Sequence, residues 1–178
     1  TKEELEDLSF RYLDPYAYSE IENILDMNKQ KREEFISSIK KRVEERLSHE
    51  KFLVKPEISG RVKSIYGIYK KLYIKQKEID EIYDKYAIRV IVSTIPECYN
   101  VLGIMHDMFQ PIPNRFKDYI STPKSNMYQS LHTTVIGKEG IPFEVQIRTW
   151  EMHKTAEYGI AAHWKYKEGI SGKDKMEQ

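Results

Sequence analysis

The sequence has a single cysteine, no long apolar run and no glycine-rich phosphate-binding loop. Cys98 alone excludes a disulfide framework. No apolar stretch approaches the roughly 20 residues that span a bilayer. Acidic residues dominate positions 3–7, where a signal peptide would be basic and then apolar. The glycine motifs of P-loop proteins and protein kinases are missing, which excludes both classes. We therefore expect a cytoplasmic protein that makes no membrane contact.

The sequence also lacks an excess of charge of either sign. The 29 basic and 28 acidic residues leave a net charge of +1, so the chain as a whole is not a polyanion binder. Any nucleotide or nucleic-acid site must therefore be a local cluster of cations. A length of 178 residues predicts one domain with a helical appendage. Because the chain opens without methionine on a charged, helix-like run, we interpret it as a piece of a longer protein.

The first fifty residues predict helices. Helical patterns cover residues 2–12 and 15–25, separated by Asp14-Pro15, and a longer pattern covers 28–48. The longest one repeats apolar residues at helical spacing among many charges, which is typical of an amphipathic helix packed on a neighbour. We interpret this part as scaffold.

A basic segment follows. Residues 58–62 predict a short strand and 64–76 a helix, whose apolar stripe is Ile65, Ile68, Tyr69 and Leu72. Residues 61–77 hold six cations and no acid, close to a helix start that favours anions. Two interpretations stay open at this point, a solvated basic face and a phosphate-binding face.

A buried strand is predicted over residues 87–92. Arg89 interrupts its apolar run, and a buried charge needs a partner or a ligand. Asp84 comes just before the strand, where a carboxylate can face a cleft. The helix predicted over 97–109 contains His106-Asp107, which superficially resembles a metal-binding motif. Since further histidines and acids are missing around the pair, we expect a surface or capping role.

A hairpin is predicted near the end of the chain. Residues 130–136 and 143–147 alternate as strands, and the turn 137–140 joins them as an antiparallel pair. Glu144 and Gln146 then share the face opposite the apolar residues. Residues 123–128 form a polar loop that leads into the first strand.

These residue types suit phosphoryl transfer. Asp84 and Glu144 offer the oxygen ligands that Mg²⁺ prefers. Tyr128 offers a ring on which a base can stack. Phosphates can be neutralised by nearby cations, namely Arg61, Lys63, Lys71, Arg115, Lys117 and Lys124. Paired strands with polar faces are also common, so the residues alone leave an ordinary sheet surface open.

The sequence further resembles a known family. The resemblance rests on four ordered strings, GRVKSIYGIYKK from residue 60, DKYAIRVIV from 84, RFKDYISTPKSNMYQSLHTTV from 115 and EVQIRTWEMHKTAEYGIAAHWKYKEG from 144. They resemble the synthetase domain of the RelA/SpoT family of (p)ppGpp enzymes. The resemblance implies a helical connector over 1–50, a synthetase domain over 51–169 and a tail over 170–178. It implies an α/β (α+β) fold, a nucleotidyltransferase-like mixed sheet of about five strands flanked by helices.

The resemblance implies an activity and a role for each matched position. The activity is transfer of the pyrophosphate of ATP to the 3′-hydroxyl of GTP or GDP with release of AMP. Asp84 and Glu144 resemble the catalytic Mg²⁺ carboxylates, and Glu144 is also placed to deprotonate or orient the hydroxyl. The implied ATP contacts are Arg61 and Arg89 around adenine and Lys63 and Lys71 on the phosphates. The implied guanine nucleotide contacts are Lys124, Asn126, Tyr128, which stacks on the base, and His132, with Gln146 and Ala156 as weaker candidates.

Some positions qualify the resemblance. Gly67 stands where many members have a serine that touches ATP, and Met127 stands where glycine is frequent. Arg115 and Lys117 belong to the basic form of a charged motif, which implies a bifunctional parent that also hydrolyses (p)ppGpp. Arg148 stays undecided between a structural and a site role. For this fragment the resemblance implies no direct nucleic-acid contact, since ribosome contact belongs to other regions, and it leaves the oligomeric state open.

Two alternatives stay open beside synthesis. One is a non-catalytic nucleotide-sensing domain of the same fold, against which the intact Asp84 and Glu144 argue. The other is an RNA-binding or nucleotidyl-transferring relative, which the basic helix and the aromatic loop suggest.

Overall fold

The computed structural model describes residues 2–25 and 27–158. Three helices come first, α1 (Lys2–Leu13), α2 (Pro15–Leu25) and α3 (Lys29–Leu47). The remaining elements are β1 (Glu57–Val62), α4 (Ile65–Tyr69), a π-helical turn (Lys70–Ile74), a 3₁₀ turn (Ile79–Glu81), β2 (Tyr86–Val92), α5 (Ile95–Met108), β3 (Gln110–Pro111), β4 (Lys117–Asp118), β5 (Leu131–Ile136) and β6 (Pro142–Thr149). Residues 150–158 are helical and are called α6 here. None of the described helices is long and apolar enough to cross a membrane.

Polar side chains fix where the long helices begin. The Asn28 side chain accepts a hydrogen bond from the Lys31 backbone N–H at 2.9 Å and caps α3. A reciprocal capping box between Thr94 and Glu97 starts α5. Asp14 accepts from Ala17 and separates α1 from α2. These caps lie where the sequence predicts helix starts, to within two residues.

The sheet is mixed, as predicted. Its strand order is β1-β2-β6-β5-β3, and β4 also pairs with β5. The β2–β6 pair is parallel and the other pairs are antiparallel. The predicted hairpin of β5 and β6 is confirmed, and Gly140 closes its turn with a φ of +73°. The two-residue strands β3 and β4 were not predicted, because two residues show no alternation and β3 contains proline.

The two faces of the sheet differ. One face carries Ile88, Val90, Phe143, Val145 and Ile147, all fully buried beneath α3 and α5 in the main core. Alternate residues on β1, β2, β5 and β6 point to the opposite face, where the polar residues lie. The sheet therefore buries one side and leaves the other free for a site.

A second apolar cluster attaches the N-terminal helices beside that free face. Phe10 of α1 and Ile21 of α2 pack against Ile65 and Ile68 of α4. The Phe10 ring centroid lies 4.8 Å from that of Tyr69 and 5.5 Å from that of Tyr66. Helix α1 is thus fastened to the segment that carries the basic residues.

The basic helix differs from its prediction. An α-helix was expected over residues 64–76, but α4 ends at Tyr69 and continues as a π-helical turn, in which the Lys75 N–H donates to the Lys70 carbonyl at 2.9 Å. Wide turns of this kind recur at functional sites because they re-aim side chains. Here the turn contains Lys71, whose ammonium group reaches Asp84. The predicted tail over 170–178, and residues 159–169 of the predicted domain, lie outside the described residues.

Candidate active site

The free face of the sheet brings six predicted site residues into two rows, together with Ser59, Ala87 and Thr134. In the first row Arg61 lies opposite Ala87, Ala87 beside Glu144, and Glu144 opposite Thr134. In the second row the pairs join Ser59, Arg89, Gln146, His132 and Lys117 in that order. Paired residues point to the same side of a sheet. Residues from five strands therefore converge on one surface.

Asp84 is held by two lysines at one edge of this face. It lies in the turn before β2, and its carboxylate accepts hydrogen bonds at 3.0 Å from both Lys63 and Lys71. About a quarter of each Asp84 and Lys71 side chain is exposed. Burial alone would raise the pKa of Asp84, but the two ammonium groups outweigh it and hold the pKa below its ordinary value. Asp84 is therefore ionised at neutral pH.

Glu144 stands on β6 in the middle of the face. Gln146 donates a hydrogen bond to its Oε1 at 2.7 Å, and His132 Nδ1 lies 3.6 Å from the same oxygen. Its side chain is 18% exposed, so it is neither free in solvent nor sealed in the core. A half-buried carboxylate with a neutral amide donor and an imidazole beside it can accept a proton or bind a cation.

Arg61 and Arg89 lie diagonally on neighbouring strands and point to the same side, since Arg61 is opposite Ala87 and Arg89 opposite Ser59. Diagonal neighbours in a sheet are about 7–8 Å apart, which is a spacing that admits a flat ring between two guanidinium groups. The Arg89 Nε is buried and has no hydrogen-bond partner among the described residues. Arg61 is more exposed and pairs with Glu3 of α1 at 3.2 Å.

The polar loop before β5 is folded back onto the sheet. The Tyr128 hydroxyl and His132 Nε2 are 2.8 Å apart, and their rings are nearly perpendicular. Asn126 accepts from the Tyr128 backbone N–H, and the Lys124 ammonium lies 5.8 Å from the centroid of the Tyr128 ring. Met127 adopts a φ of +68°, a region that favours glycine. Lys124 and Asn126 of the loop, together with His132 of β5, thus surround Tyr128.

Burial governs the charge of His132. Loss of water lowers the pKa of its imidazole, the attraction of Glu144 opposes this, and Lys124 adds to the lowering. The ring is therefore mainly neutral at pH 7, and its two nitrogens face Tyr128 and Glu144.

Arg148, which the sequence left undecided, belongs to the same face. It is 2% exposed, its Nε lacks a partner among the described residues, and a terminal nitrogen lies 2.9 Å from His153 Nδ1. Burial and then the nearby Arg89 lower the pKa of its guanidinium. The alternation of residues 144, 146 and 148 along β6 is the signal that could have placed it there.

The basic motif bridges the loops on either side of the face. The Arg115 guanidinium lies 4.4 Å from the ring centroid of Tyr83, the residue before Asp84. Lys117 is in register with His132. Asp118 accepts from the Tyr99 hydroxyl at 2.7 Å and from two backbone N–H groups of the following turn. Sequence reasoning missed Tyr83 and Tyr99, because their spacing from the motif carries no signal.

The structure also places Gly67, His106 and Ala156, for each of which the sequence leads to an expectation. A Cβ at Gly67 would lie 3.0 Å from Ser64 Oγ, which caps α4 by accepting from the Gly67 N–H. A serine at this position would therefore crowd the cap. His106 bonds to Thr133 of β5 at 2.7 Å, which gives it a structural role between helix and sheet. Ala156 lies half-buried on α6.

The resemblance implies Mg²⁺, for which Asp84 and Glu144 are the candidate ligands. Among residues 2–25 and 27–158, no group of three or more His, Cys, Asp or Glu is placed to hold a metal ion. Mg²⁺ in nucleotide sites is commonly held by one or two carboxylates together with substrate phosphates and water. Asp84 and Glu144, beside cations that suit phosphates, fit that requirement.

The sheet is mixed and carries helices on one face and a site of carboxylates, lysines and arginines on the other. This architecture defines a nucleotidyltransferase-like domain. A solved structure of the same architecture is the GTP pyrophosphokinase family protein from Streptococcus pneumoniae, with a TM-score of 0.61 and 25% identity over 83% of this chain and 78% of that one.

The family model described as "Region found in RelA / SpoT proteins" matches residues 60–171, and the chain belongs to this family. The chain is 52% identical to the probable guanosine-3′,5′-bis(diphosphate) 3′-pyrophosphohydrolase of Synechocystis sp. and 51% identical to the GTP pyrophosphokinase of Myxococcus xanthus. Each match covers 94% of this chain and 22% of the relative. The chain therefore spans about a fifth of the length of these relatives.

Proposed function

We propose that this chain is a GTP/GDP pyrophosphokinase domain, which transfers the pyrophosphate of ATP to the 3′-hydroxyl of GTP or GDP and thereby makes pppGpp or ppGpp and AMP. The observation that carries the proposal is the convergence of Glu144, Asp84 and the two lysines of Asp84 with an arginine pair on one open face of the sheet. The GTP pyrophosphokinase name of a relative at 51% identity supports the same reaction.

The donor half of the site is formed by β1, α4 and the turn before β2. Arg61 and Arg89 are spaced to hold adenine between their guanidinium groups. Lys63 and Lys71 neutralise the ATP phosphates, for which they must exchange their contacts with Asp84. Two lysines that already converge on one carboxylate are also spaced to converge on one phosphate oxygen.

The acceptor half is formed by the loop before β5 and by β6. Tyr128 stacks on the guanine base, while Lys124, Asn126 and His132 contact the rest of the nucleotide. Arg148 and Gln146 lie along the same face, and Ala156 follows on α6. Arg115 and Lys117 add positive charge at the edge of this half.

The transfer step forms one bond and breaks one. The 3′-hydroxyl oxygen of the guanine nucleotide attacks the β-phosphorus of ATP, and the bond between that phosphorus and the α–β bridging oxygen breaks. The bridging oxygen keeps the electron pair and leaves as part of AMP. Glu144 accepts the hydroxyl proton, and Gln146 fixes the carboxylate through its 2.7 Å hydrogen bond.

Mg²⁺ held by Asp84 and Glu144 would neutralise charge on the phosphates during transfer. Lys63 and Lys71 neutralise the remaining charge once the phosphates have drawn them away from Asp84. His132 lies 3.6 Å from Glu144 and, because its lowered pKa keeps the imidazole mainly neutral at pH 7, adds no full positive charge beside that carboxylate.

The experiment is an incubation of the protein with ATP, Mg²⁺ and either GDP or GTP, in which all nucleotides are resolved. AMP together with ppGpp or pppGpp is the expected result, and Glu144→Gln is expected to abolish turnover while nucleotide binding remains. Normal turnover in Glu144→Gln would refute the role of Glu144. Binding of both nucleotides without AMP formation would instead favour a sensing domain.

The rest of the domain plan belongs to this proposal. Residues 1–50 form a connector from a preceding domain, 51–169 form the synthetase domain and 170–178 a tail, within a cytoplasmic protein. We further propose that the parent chain is bifunctional, because one relative is named a probable pyrophosphohydrolase and this chain spans only 22% of it.

A further inference from the structure

Helix α1 turns an acidic face towards the donor half of the site. Glu3, Glu6, Asp7 and Phe10 follow helical spacing and are the less exposed residues of α1. None of these four lies in the span that the family model matches, which begins at residue 60. These residues of α1 therefore lie outside the matched region.

Two contacts fix this face in position. Phe10 is 7% exposed within the cluster around Tyr66 and Tyr69. The Asp7 carboxylate accepts hydrogen bonds from the backbone N–H groups of Ile65 at 3.0 Å and Tyr66 at 2.9 Å. Because these groups start α4, the first turn of α1 is held directly over the basic segment.

The first turn of α1 and the basic segment enclose a cleft of about 330 Å³. Glu3 and Glu6, with Lys2, line one side, and Arg61, Lys63 and Lys71 line the other. Glu3 already pairs with Arg61 at 3.2 Å. ATP bound to these cations would bring its phosphates close to two carboxylates, and like charges at this range repel each other.

We propose that Glu3 and Glu6 of α1 weaken ATP binding, because they compete for the cations of the donor half and repel the phosphates. This inference rests on the proposed function, since it takes Arg61, Lys63 and Lys71 as ATP contacts. Helix α1 then sets the ATP affinity, and any displacement of α1 from α4 raises it.

The test uses the double variant Glu3→Gln/Glu6→Gln, which leaves the Asp7 and Phe10 anchors intact. Exposed ion pairs contribute about 0.2–1 kcal/mol each. Loss of both carboxylates is therefore expected to tighten binding of the ATP analogue AMPCPP about two- to thirtyfold in titration calorimetry at low salt. The gain is expected to shrink towards 1 M salt, because the screening length falls from about 10 Å at 0.1 M to about 3 Å.

Two controls distinguish an effect of Glu3 and Glu6 on the ATP site from an effect of the protein's net charge and from a general change in nucleotide binding. Glu44→Gln/Glu45→Gln removes the same two charges from exposed positions of α3, and it is expected to leave AMPCPP affinity unchanged. GDP affinity is expected to stay the same in all three proteins. Equal AMPCPP affinity in wild type and Glu3→Gln/Glu6→Gln, or an equal gain in the α3 control, would overturn the inference and leave the proposed function standing. Absence of AMPCPP binding in every protein would overturn both.

Discussion

Two replacements of Tyr128, by alanine and by phenylalanine, distinguish the contribution of its ring from that of its hydroxyl group. In the free protein the hydroxyl bonds to His132 Nε2 at 2.8 Å, and the ring is half-buried between that contact and the Lys124 ammonium. Stacking of a base on an aromatic ring is worth about 1–3 kcal/mol. A single neutral hydrogen bond contributes about 0.5–1.5 kcal/mol net. The two groups should therefore differ measurably in their effect on the acceptor nucleotide.

We expect Tyr128→Ala to raise the acceptor KM and the GDP Kd by about 5- to 150-fold, the factor that corresponds to 1–3 kcal/mol of lost stacking. We expect Tyr128→Phe, which keeps the ring, to stay within about tenfold of wild type, because only the bond to His132 is lost. The AMPCPP Kd should not change in either variant, since the donor half lies on β1, α4 and β2.

Steady-state kinetics with GDP varied at saturating ATP, together with titration calorimetry for each nucleotide, measure all three quantities. If Tyr128→Phe were as damaging as Tyr128→Ala, the hydroxyl and not the ring would be the contact. If neither variant changed GDP binding while AMPCPP binding weakened, the assignment of this loop to the guanine nucleotide would be wrong.

Three further predictions concern other positions. Asp118→Ala removes the acceptor of the Tyr99 hydroxyl and of two N–H groups and should lower the free energy of unfolding by about 1 kcal/mol at pH 7. Burial raises the pKa of Asp118, but its hydrogen bonds, chiefly from Ser121, lower the pKa further. The contribution is therefore complete above the unfolded pKa of about 3.9 and is lost as pH falls through the lower pKa of the folded state. Urea unfolding at pH 7 and pH 2.5 checks this, and an equal difference at both would contradict it. Met127→Gly should relieve about 1 kcal/mol of backbone strain at φ +68°, which the entropy cost of glycine largely offsets, so the free energy of unfolding should change little. A fall in the free energy of unfolding of more than about 1 kcal/mol would contradict the presence of that strain. Burial raises the pKa of Cys98 to about 12, so alkylation by iodoacetamide at pH 8 should be slow in the folded protein and fast in urea, and equal rates would show that the thiol is accessible.

The sequence predicted the parts of the fold that repeat a pattern. Alternation along β5 and β6 indicated the hairpin and the shared face of Glu144 and Gln146, which the register confirms. Asp14-Pro15 marked the break between α1 and α2. The π-helical turn after Tyr69 left no pattern, because an extra residue per turn changes the direction of Lys71 without changing residue types.

Contacts between distant segments were beyond the sequence for a different reason. Arg115 against Tyr83, Tyr99 against Asp118 and Glu3 against Arg61 each join segments that periodicity treats separately. These contacts depend on where the loops lie in three dimensions. In the sequence, a residue that makes such a contact cannot be distinguished from any other surface residue. The resemblance supplied roles for matched positions, but it said nothing about the partners that hold them.

The two halves of the site differ in how their charges are balanced before any nucleotide binds. On the donor side the chain neutralises itself, since Lys63 and Lys71 hold Asp84 and Glu3 holds Arg61. Buried Nε atoms without a partner among the described residues occur on both sides, at Arg89 in the donor half and at Arg148 in the acceptor half. A buried donor without a partner costs about 1–3 kcal/mol, which an incoming acceptor group recovers. ATP must therefore displace the ion pairs of Lys63, Lys71 and Arg61. The guanine nucleotide instead meets the unpartnered Nε of Arg148 and displaces no such pair there among the described residues. Salt that weakens the internal pairs should for this reason affect the two affinities differently, with the loss in affinity smaller for ATP than its charge alone predicts.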